Sequence, residues 1–259
     1  MRANIRSYWN TSRAPRYSIV FALPLLLLYE SLAASLAGTP GANVRNAADV
    51  ALKTPFLLLS GARGSIAFFA TTIAICVFLI ARDLTRSRER LRPRTFLLML
   101  LESAVLALLL GVVVGTVTRQ LLGMLALSSG HSGASASMVQ GSGAGSIESM
   151  SVATRLMLAL GAGLYEELLF RVILVGGLSA GLAWLMGRRT WITSSIAAVV
   201  GALIFSSFHY IGQYGDRLEL ASFTYRTIAG LAFSGLFLVR GFGITAWTHA
   251  LYDIYVMIL

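Results

Sequence analysis

Two acids and one cation lie inside an apolar stretch that runs from Gly163 to Arg171. Glu167 and Arg171 are four residues apart, so a helix places them on one face, with the acid on the N-terminal side as such pairs prefer. Glu166 is rotated away from that face and has no cation beside it in the sequence. Desolvation disfavours the charge of such a carboxylate, which suits it to exchange protons near neutral pH. The pattern predicts Glu166 as a general base or acid.

Two of the three histidines lie in or at the end of apolar runs near the C-terminus. His209 follows Phe205 by four residues, so the two share a helix face near the end of their run. His249 precedes Asp253 by four residues, so the carboxylate can hydrogen-bond the imidazole and fix its tautomer. The third histidine, His131, lies in a Gly/Ser-rich segment and is expected to be solvated.

Each of these groups alone has an ordinary interpretation, as a packing histidine or an interfacial glutamate pair. Their combination favours function, because an ionisable group at the centre of a bilayer costs a few kcal/mol or more. Two imidazoles and a carboxylate could activate a water directly or hold a Zn²⁺ ion. Glu166, His209 and His249 would be the ligands of such a metal. The residues suggest no cofactor other than Zn²⁺, and they do not require Zn²⁺.

The composition predicts helices within a membrane. Of 259 residues, 56% are hydrophobic and 12% are charged, whereas roughly a quarter of a soluble domain is charged. The apolar runs approach the ~20 residues that a helix needs to cross a bilayer. Alternating strand patterns are absent, so helices rather than a barrel must satisfy the backbone. We expect an all-α, polytopic membrane helix bundle of six to eight transmembrane helices. Cys76 is the one cysteine, which excludes disulfides and cysteine metal clusters.

Some apolar runs predict single spans, and two stretches are ambiguous. The predicted spans cover residues 17–37, 65–81, 95–117 with an extension towards 127, 191–211, 221–239 and 242–259. Residues 41–60 are predicted to form an interfacial or re-entrant helix. Residues 152–186 are too many for one span, so they are expected to break near Gly176-Gly177 or to continue as a surface helix.

The chain divides into three regions by composition. Residues 1–127 form an N-terminal anchor region with about three spans, and residues 128–150 form a flexible Gly/Ser-rich loop. Residues 151–259 form a helical core that contains all the groups proposed for chemistry.

The net charge of +10 indicates membrane topology rather than binding to nucleic acid. The basic residues lie between apolar runs, where they act as topology signals and contact lipid headgroups. The N-terminus and residues 82–94 are both strongly basic and are expected to be cytoplasmic, with residues 128–147 outside. The first apolar run is predicted to be a retained anchor. A multi-pass protein of a bacterial plasma (inner) membrane is the favoured location.

The ordered motifs Glu-Glu-x-x-x-Arg, Phe-x-x-x-His and His-x-x-x-Asp resemble the signature of the CAAX protease and bacteriocin-processing family (CPBP, or ABI), which includes the type II CAAX prenyl endopeptidases. The resemblance covers about residues 152–259. It implies an all-helical intramembrane endopeptidase of glutamic or metal-dependent type. It also implies that Glu166 and His209 activate the attacking water, and that Glu167 and Arg171 position the helix and support Glu166. Phe205 belongs to the second motif.

The resemblance further implies that His249 and the residue at position 253 stabilise the oxyanion. Many relatives have Asn where this chain has Asp253. An ionised Asp cannot donate a hydrogen bond. Asp253 must therefore be protonated, or it must orient His249 so that a charged imidazole provides the stabilisation.

We therefore expect an endopeptidase that hydrolyses a membrane-associated, lipid-anchored or helix-anchored protein. Its partners are that protein substrate and the lipid bilayer, with no nucleic acid. A non-catalytic membrane scaffold or bacteriocin-immunity-type protein is the alternative. A proton-coupled transporter is a third interpretation, for which no inverted repeat is evident.

Overall fold

A computed structural model describes residues 8–37, 44–86, 91–128, 150–188, 190–211 and 215–258. Within these ranges the chain is helical and contains no strand, which confirms the all-α prediction. Most of the Gly/Ser-rich loop, residues 129–149, lies outside the described residues. The helices are α1 Pro15–Ser35, α2 Ala47–Ser60, α3 Gly64–Arg86, α4 Pro93–Ser128, α5 Val152–Leu185, α6 Trp191–Phe208, α7 Leu220–Arg240 and α8 Phe242–Ile258.

Six stretches of the described chain are long and apolar enough to cross a membrane. They are α1, the combined stretch Ala47–Arg86, α4 as far as Met124, α5, α6 and α7. Helix α8 is shorter, at 17 residues. Large apolar side chains cover the outside of the bundle, among them Leu59 at 86% and Trp184 at 82% relative exposure. Apolar surface on this scale needs a lipid solvent, so the bundle is that of a multi-pass membrane protein.

Helix α2 and helix α3 meet at a sharp reversal of the chain. A short 3-10 turn, Gly61–Arg63, separates them. Gly61 has φ of 54°, and a Cβ at Gly64 would lie 2.4 Å from the Cα of Leu57. Only glycine permits backbones to approach this closely. The 14 residues of α2 span about 21 Å at 1.5 Å per residue, which is too short to cross a ~30 Å hydrocarbon core. The interfacial or re-entrant role of α2 stays a prediction.

Helix α5 does not break at Gly176-Gly177, so of the two expected alternatives the break is wrong, and continuation as a surface helix stays a prediction. The helix continues from Val152 to Leu185. A glycine in a helix costs only about 1 kcal/mol relative to alanine, whereas opening the backbone in lipid leaves polar groups without partners. The irregularity lies earlier, where Ala162–Val175 adopts wider π-helical turns. Such turns occur often at functional sites, and this segment contains Glu166, Glu167 and Arg171.

Helix α8 is the central element of the bundle and packs against α1, α4, α5 and α7. Its contact with α5 is closest at Gly163, where an added Cβ would lie 2.5 Å from the carbonyl oxygen of Ala246. Helix α8 also lies close to α1 at Gly243, whose N–H donates to Ser18 Oγ at 2.7 Å. Gly163 brings the middle of α8 against the π-helical segment of α5, and Gly243 brings the start of α8 against α1.

Candidate active site

Glu167 and Arg171 form a fully buried ion pair on the π-helical segment of α5. Arg171 Nη1 lies 3.1 Å from Glu167 Oε1, and the two side chains are 1% and 0% exposed. The spacing of four residues predicted a shared face, and the structure has it. Removing either partner would leave the other as an uncompensated buried charge.

His249 is held by Glu167 rather than primarily by Asp253. Its Nδ1 donates to Glu167 Oε1 at 2.7 Å, and its Nε2 lies 3.6 Å from Asp253 Oδ2. The expected hydrogen bond from the imidazole to the Asp253 carboxylate is not formed, since 3.6 Å is too long. His249 is also stacked on Phe233, with ring centroids 4.3 Å apart. The hydrogen bond from Nδ1 to Glu167 fixes the orientation of the ring, and Nε2 then faces Asp253 within the buried site.

His209 stands directly after the last residue of α6 and caps that helix. Its Nδ1 is 2.9 Å from the carbonyl oxygen of Phe205. A carbonyl can only accept, so Nδ1 carries the hydrogen and Nε2 of the neutral ring carries the lone pair. The Phe205 ring meets the imidazole edge to face at 4.8 Å. The shared face of Phe205 and His209 thus fixes both the position and the tautomer of this histidine.

The Phe205 ring lies next to both the buried ion pair and the two histidines. The guanidinium carbon of Arg171 lies 4.3 Å from the centroid of its ring, which is a favourable cation–π distance. Its ring centroid also lies 6.5 Å from that of His249. Phe205 therefore separates the buried Glu167–Arg171–His249 cluster from His209.

Glu166 interacts electrostatically with His209, His249 and Arg171, although these residues come from three different helices or helix ends. Glu166 and His209 are both partly exposed, whereas Glu167 and His249 are buried. Glu166 and His209 are thus the less buried members of this group. The structure brings the predicted residues Glu166, Glu167, Arg171, Phe205, His209, His249 and Asp253 to one place in the bundle.

Asn46 is a site residue that was not expected from the sequence. Its Nδ2 donates to Glu166 Oε1 at 2.8 Å. The residues next to Glu166 in the sequence indicated no partner for it, but the structure gives it one. The two residues are 120 positions apart. The available signal was an asparagine at the start of a helical pattern, which predicts a helix cap but not its contact with another helix.

Two further glutamates in the spans of the N-terminal half are paired between helices. Glu30 accepts from Tyr165 Oη at 2.6 Å and from Lys53 at 2.9 Å. Glu102 accepts from Arg240 Nε at 2.6 Å and from Tyr8 Oη at 2.6 Å. Both pairings join the N-terminal half of the chain to its C-terminal half.

The side chains proposed as Zn²⁺ ligands do not fit a metal site in this arrangement. Among the described residues no group of three or more His, Cys, Asp or Glu side chains is arranged to hold a metal ion. His249 has its Nδ1 bonded to Glu167 and its Nε2 directed at Asp253. With Nδ1 bonded to Glu167, His249 offers at most one ring nitrogen, and among the described residues Glu166, His209 and His249 are not arranged around a common metal position.

Comparison with known families matches residues 148–255 to the type II CAAX prenyl endopeptidase Rce1-like family. This match confirms the resemblance that the three motifs indicated. At the level of the family it supports an intramembrane protease, a hydrolase that acts on protein substrates. Comparison with curated proteins and with solved structures gave no match.

Proposed function

We propose that this protein is an intramembrane endopeptidase in which Glu166 and His209 activate the attacking water. The observation that carries the proposal is the contrast in exposure between the two halves of the site. Glu166 and His209 are partly exposed, while Glu167, Arg171 and His249 are buried and joined to one another. Accessible groups can exchange protons with water, and buried, paired groups can hold a fixed geometry.

In the proposed reaction, the Glu166 carboxylate accepts a proton from a water while His209 Nε2 accepts a hydrogen bond from the same water. The water oxygen attacks the carbonyl carbon of the scissile peptide bond and forms a tetrahedral intermediate. Collapse of this intermediate breaks the C–N bond, and Glu166 returns the proton to the leaving amine. General acid–base catalysis of this kind contributes about 10²- to 10⁴-fold to a rate.

The oxyanion of the intermediate is proposed to bind at His249. Glu167 and Asp253 flank the ring with carboxyl groups, and such neighbours favour the charged imidazolium. The Nε2–H of that imidazolium is a donor for the developing negative charge. Glu167 then orients His249, the nearby Asp253 carboxyl group favours its charged form, and Asp253 has no need to donate to the oxyanion itself.

The proposed substrates are membrane-associated proteins with a lipid anchor or a helical anchor. The apolar exterior of the bundle would keep both enzyme and anchor in the same bilayer. The family name refers to prenylated CAAX proteins, and for this chain we propose the wider class of anchored tails.

A cleavage assay in membranes tests the proposal, with a panel of lipid-anchored and helix-anchored proteins as substrates. Wild type is compared with His209→Phe, which preserves an aromatic ring against Phe205 but lacks Nε2. Ser207→Ala, on the exposed face of the same helix, is the matched control. We expect cleavage by wild type and the control, with or without a chelator, and a loss of at least ~100-fold in His209→Phe. Equal cleavage by His209→Phe would contradict the mechanism. Loss of cleavage with the chelator would indicate that a metal takes part.

A further inference from the structure

Asn46 lies at the start of α2, far in sequence from the motif-bearing half of the chain, and is 7% exposed. Its side chain makes two kinds of contact. Oδ1 accepts from the backbone N–H of Ala48 at 2.9 Å and of Asp49 at 3.4 Å. Nδ2 donates to Glu166 Oε1 at 2.8 Å. The contacts of Oδ1 cap α2, and the contact of Nδ2 joins Asn46 to the candidate active site.

The cap fixes which way the amide faces. An asparagine at the N-terminus of a helix uses its oxygen to accept from the first backbone N–H groups. If the amide of Asn46 were rotated by half a turn, its NH₂ group would face those N–H donors and its oxygen would face the Glu166 carboxylate. Both contacts would then be repulsive. The fold of α2 therefore holds a hydrogen-bond donor towards Glu166.

The backbone of α5 is shaped to receive this residue. Gly161 precedes Glu166 by five residues, about one turn of a π-helix. A Cβ at Gly161 would lie 3.0 Å from the Cβ of Asn46 and 2.5 Å from Cε2 of Tyr29. A side chain at position 161 would thus displace Asn46 from α5.

The surrounding charges do not compete for the Asn46 amide. Asp49 and Glu30 are the acidic groups of the N-terminal half that lie near this junction, and both pair with Lys53, at 2.6 Å and 2.9 Å. Tyr29 Oη donates to Asp49 Oδ2 at 2.8 Å. Among the residues that the structure describes, Asn46 is the side chain that hydrogen-bonds Glu166.

We propose that Asn46 is a positioning residue for the proteolytic reaction, and that α2 of the N-terminal region orients the Glu166 carboxylate through it. This inference rests on the proposed function. With Oε1 held by Asn46, Glu166 keeps one rotamer and presents its other oxygen to the water beside His209. The catalytic site therefore extends beyond the matched residues 148–255 to a residue in the first fifth of the chain.

The test uses substitutions that separate capping from positioning. Asp and Ser cap helices about as well as Asn, but neither supplies the amide donor to Glu166. We expect Asn46→Asp and Asn46→Ser to fold with α2 capped and to keep the KM of wild type, with a lower melting temperature because the hydrogen bond to Glu166 is lost. We expect kcat to fall by up to about a hundredfold, as is typical when a catalytic group loses its geometry. The fall is larger for Asp, because a second carboxylate then faces Glu166. Tyr29→Phe removes a neighbouring hydrogen bond at the same junction and is the control, with kcat unchanged.

A second readout does not depend on activity. In a double-mutant cycle of Asn46→Ser and Glu166→Ala, the two changes in melting temperature should be non-additive, because the side chains are in contact. Non-additivity together with the selective loss of kcat supports the proposal. Wild-type kcat in Asn46→Asp and Asn46→Ser overturns it, and leaves Asn46 as a helix cap alone. If wild type cleaves no substrate while the cycle still shows coupling, the proposed protease function fails and the positioning role fails with it.

Discussion

At the scale of single residues, Glu167 has two partners at once, and this dual contact organises the site. One oxygen, Oε1, lies 3.1 Å from Arg171 and 2.7 Å from His249 Nδ1. The contact with Arg171 follows from spacing along one helix and was predicted. The contact with His249 joins residues 82 positions apart. Sequence spacing within one helix cannot indicate such a pair, because it depends on how two helices pack.

Contacts between helices also explain why the sequence did not predict the partners of His249 and Glu166. Asp253 is one turn from His249 and was the obvious partner, but the packing of α8 on α5 brings Glu167 closer to the ring. Asn46 was missed because its contact with Glu166 also crosses between helices. Residue types and local spacing predicted the members of the cluster, whereas the pairing within it required the fold.

Glu167→Gln is expected to destabilise the protein, because the buried Arg171 then loses the carboxylate with which it forms an ion pair. Loss of one partner of a buried pair costs about 3–5 kcal/mol. Unfolding of the purified protein in mixed detergent micelles measures the change. Glu219→Gln, an exposed glutamate at the start of α7, is the control and should change stability by less than about 0.5 kcal/mol. Equal stability of the two variants would show that Arg171 does not depend on Glu167.

At the scale of elements, glycines determine how closely the helices approach. The sequence contains Gly163 and Gly177 on the same long helix, and nothing local separates their roles. The structure does: Gly163 faces α8, and nothing lies within 4 Å of a Cβ at Gly177. The expected break at Gly176-Gly177 failed because helix continuity in lipid outweighs glycine's weak preference against helices.

Gly163→Ala is expected to separate α5 from α8 and to destabilise the bundle by about 1–3 kcal/mol, the usual cost of overpacking. The added methyl group would lie 2.5 Å from both Ala246 O and Ala250 Cβ. Cleavage activity should fall as well, because Glu167 would move away from His249. Gly177→Ala is the matched control, because nothing lies within 4 Å of a Cβ at that position. It should leave the stability of the protein unchanged or raise it slightly. Identical melting curves and activities for the two variants would refute the close contact.

At the scale of the whole molecule, composition predicted the class of fold because a membrane leaves few alternatives. Six apolar stretches of spanning length in the described chain fall within the predicted range. Interhelical pairs such as Glu102–Arg240 and Tyr165–Glu30 join the two halves, and composition alone could not have shown them. The division into an anchor region and a catalytic core stays a prediction, with Asn46 as a proposed connection between them.

Membrane orientation is predicted from charge, with the N-terminus and residues 82–94 in the cytoplasm and the Gly/Ser-rich loop outside. Cysteine labelling of cells tests this, in a Cys76→Ala background that removes the one native thiol. A membrane-impermeant maleimide should label Met150→Cys in intact cells, and should label Arg92→Cys only after the cells are opened. The reverse pattern would invert the topology, and equal labelling of both in intact cells would place them on the same side.

The central claim is that Glu166 is the base that activates water, and Glu166→Gln tests it most directly. Gln has nearly the same shape and can still accept from Asn46, but it cannot take a proton. We expect the purified variant to keep its melting temperature while kcat for an anchored substrate falls by at least ~100-fold. A folded Glu166→Gln variant that cleaves at the wild-type rate would contradict the claim.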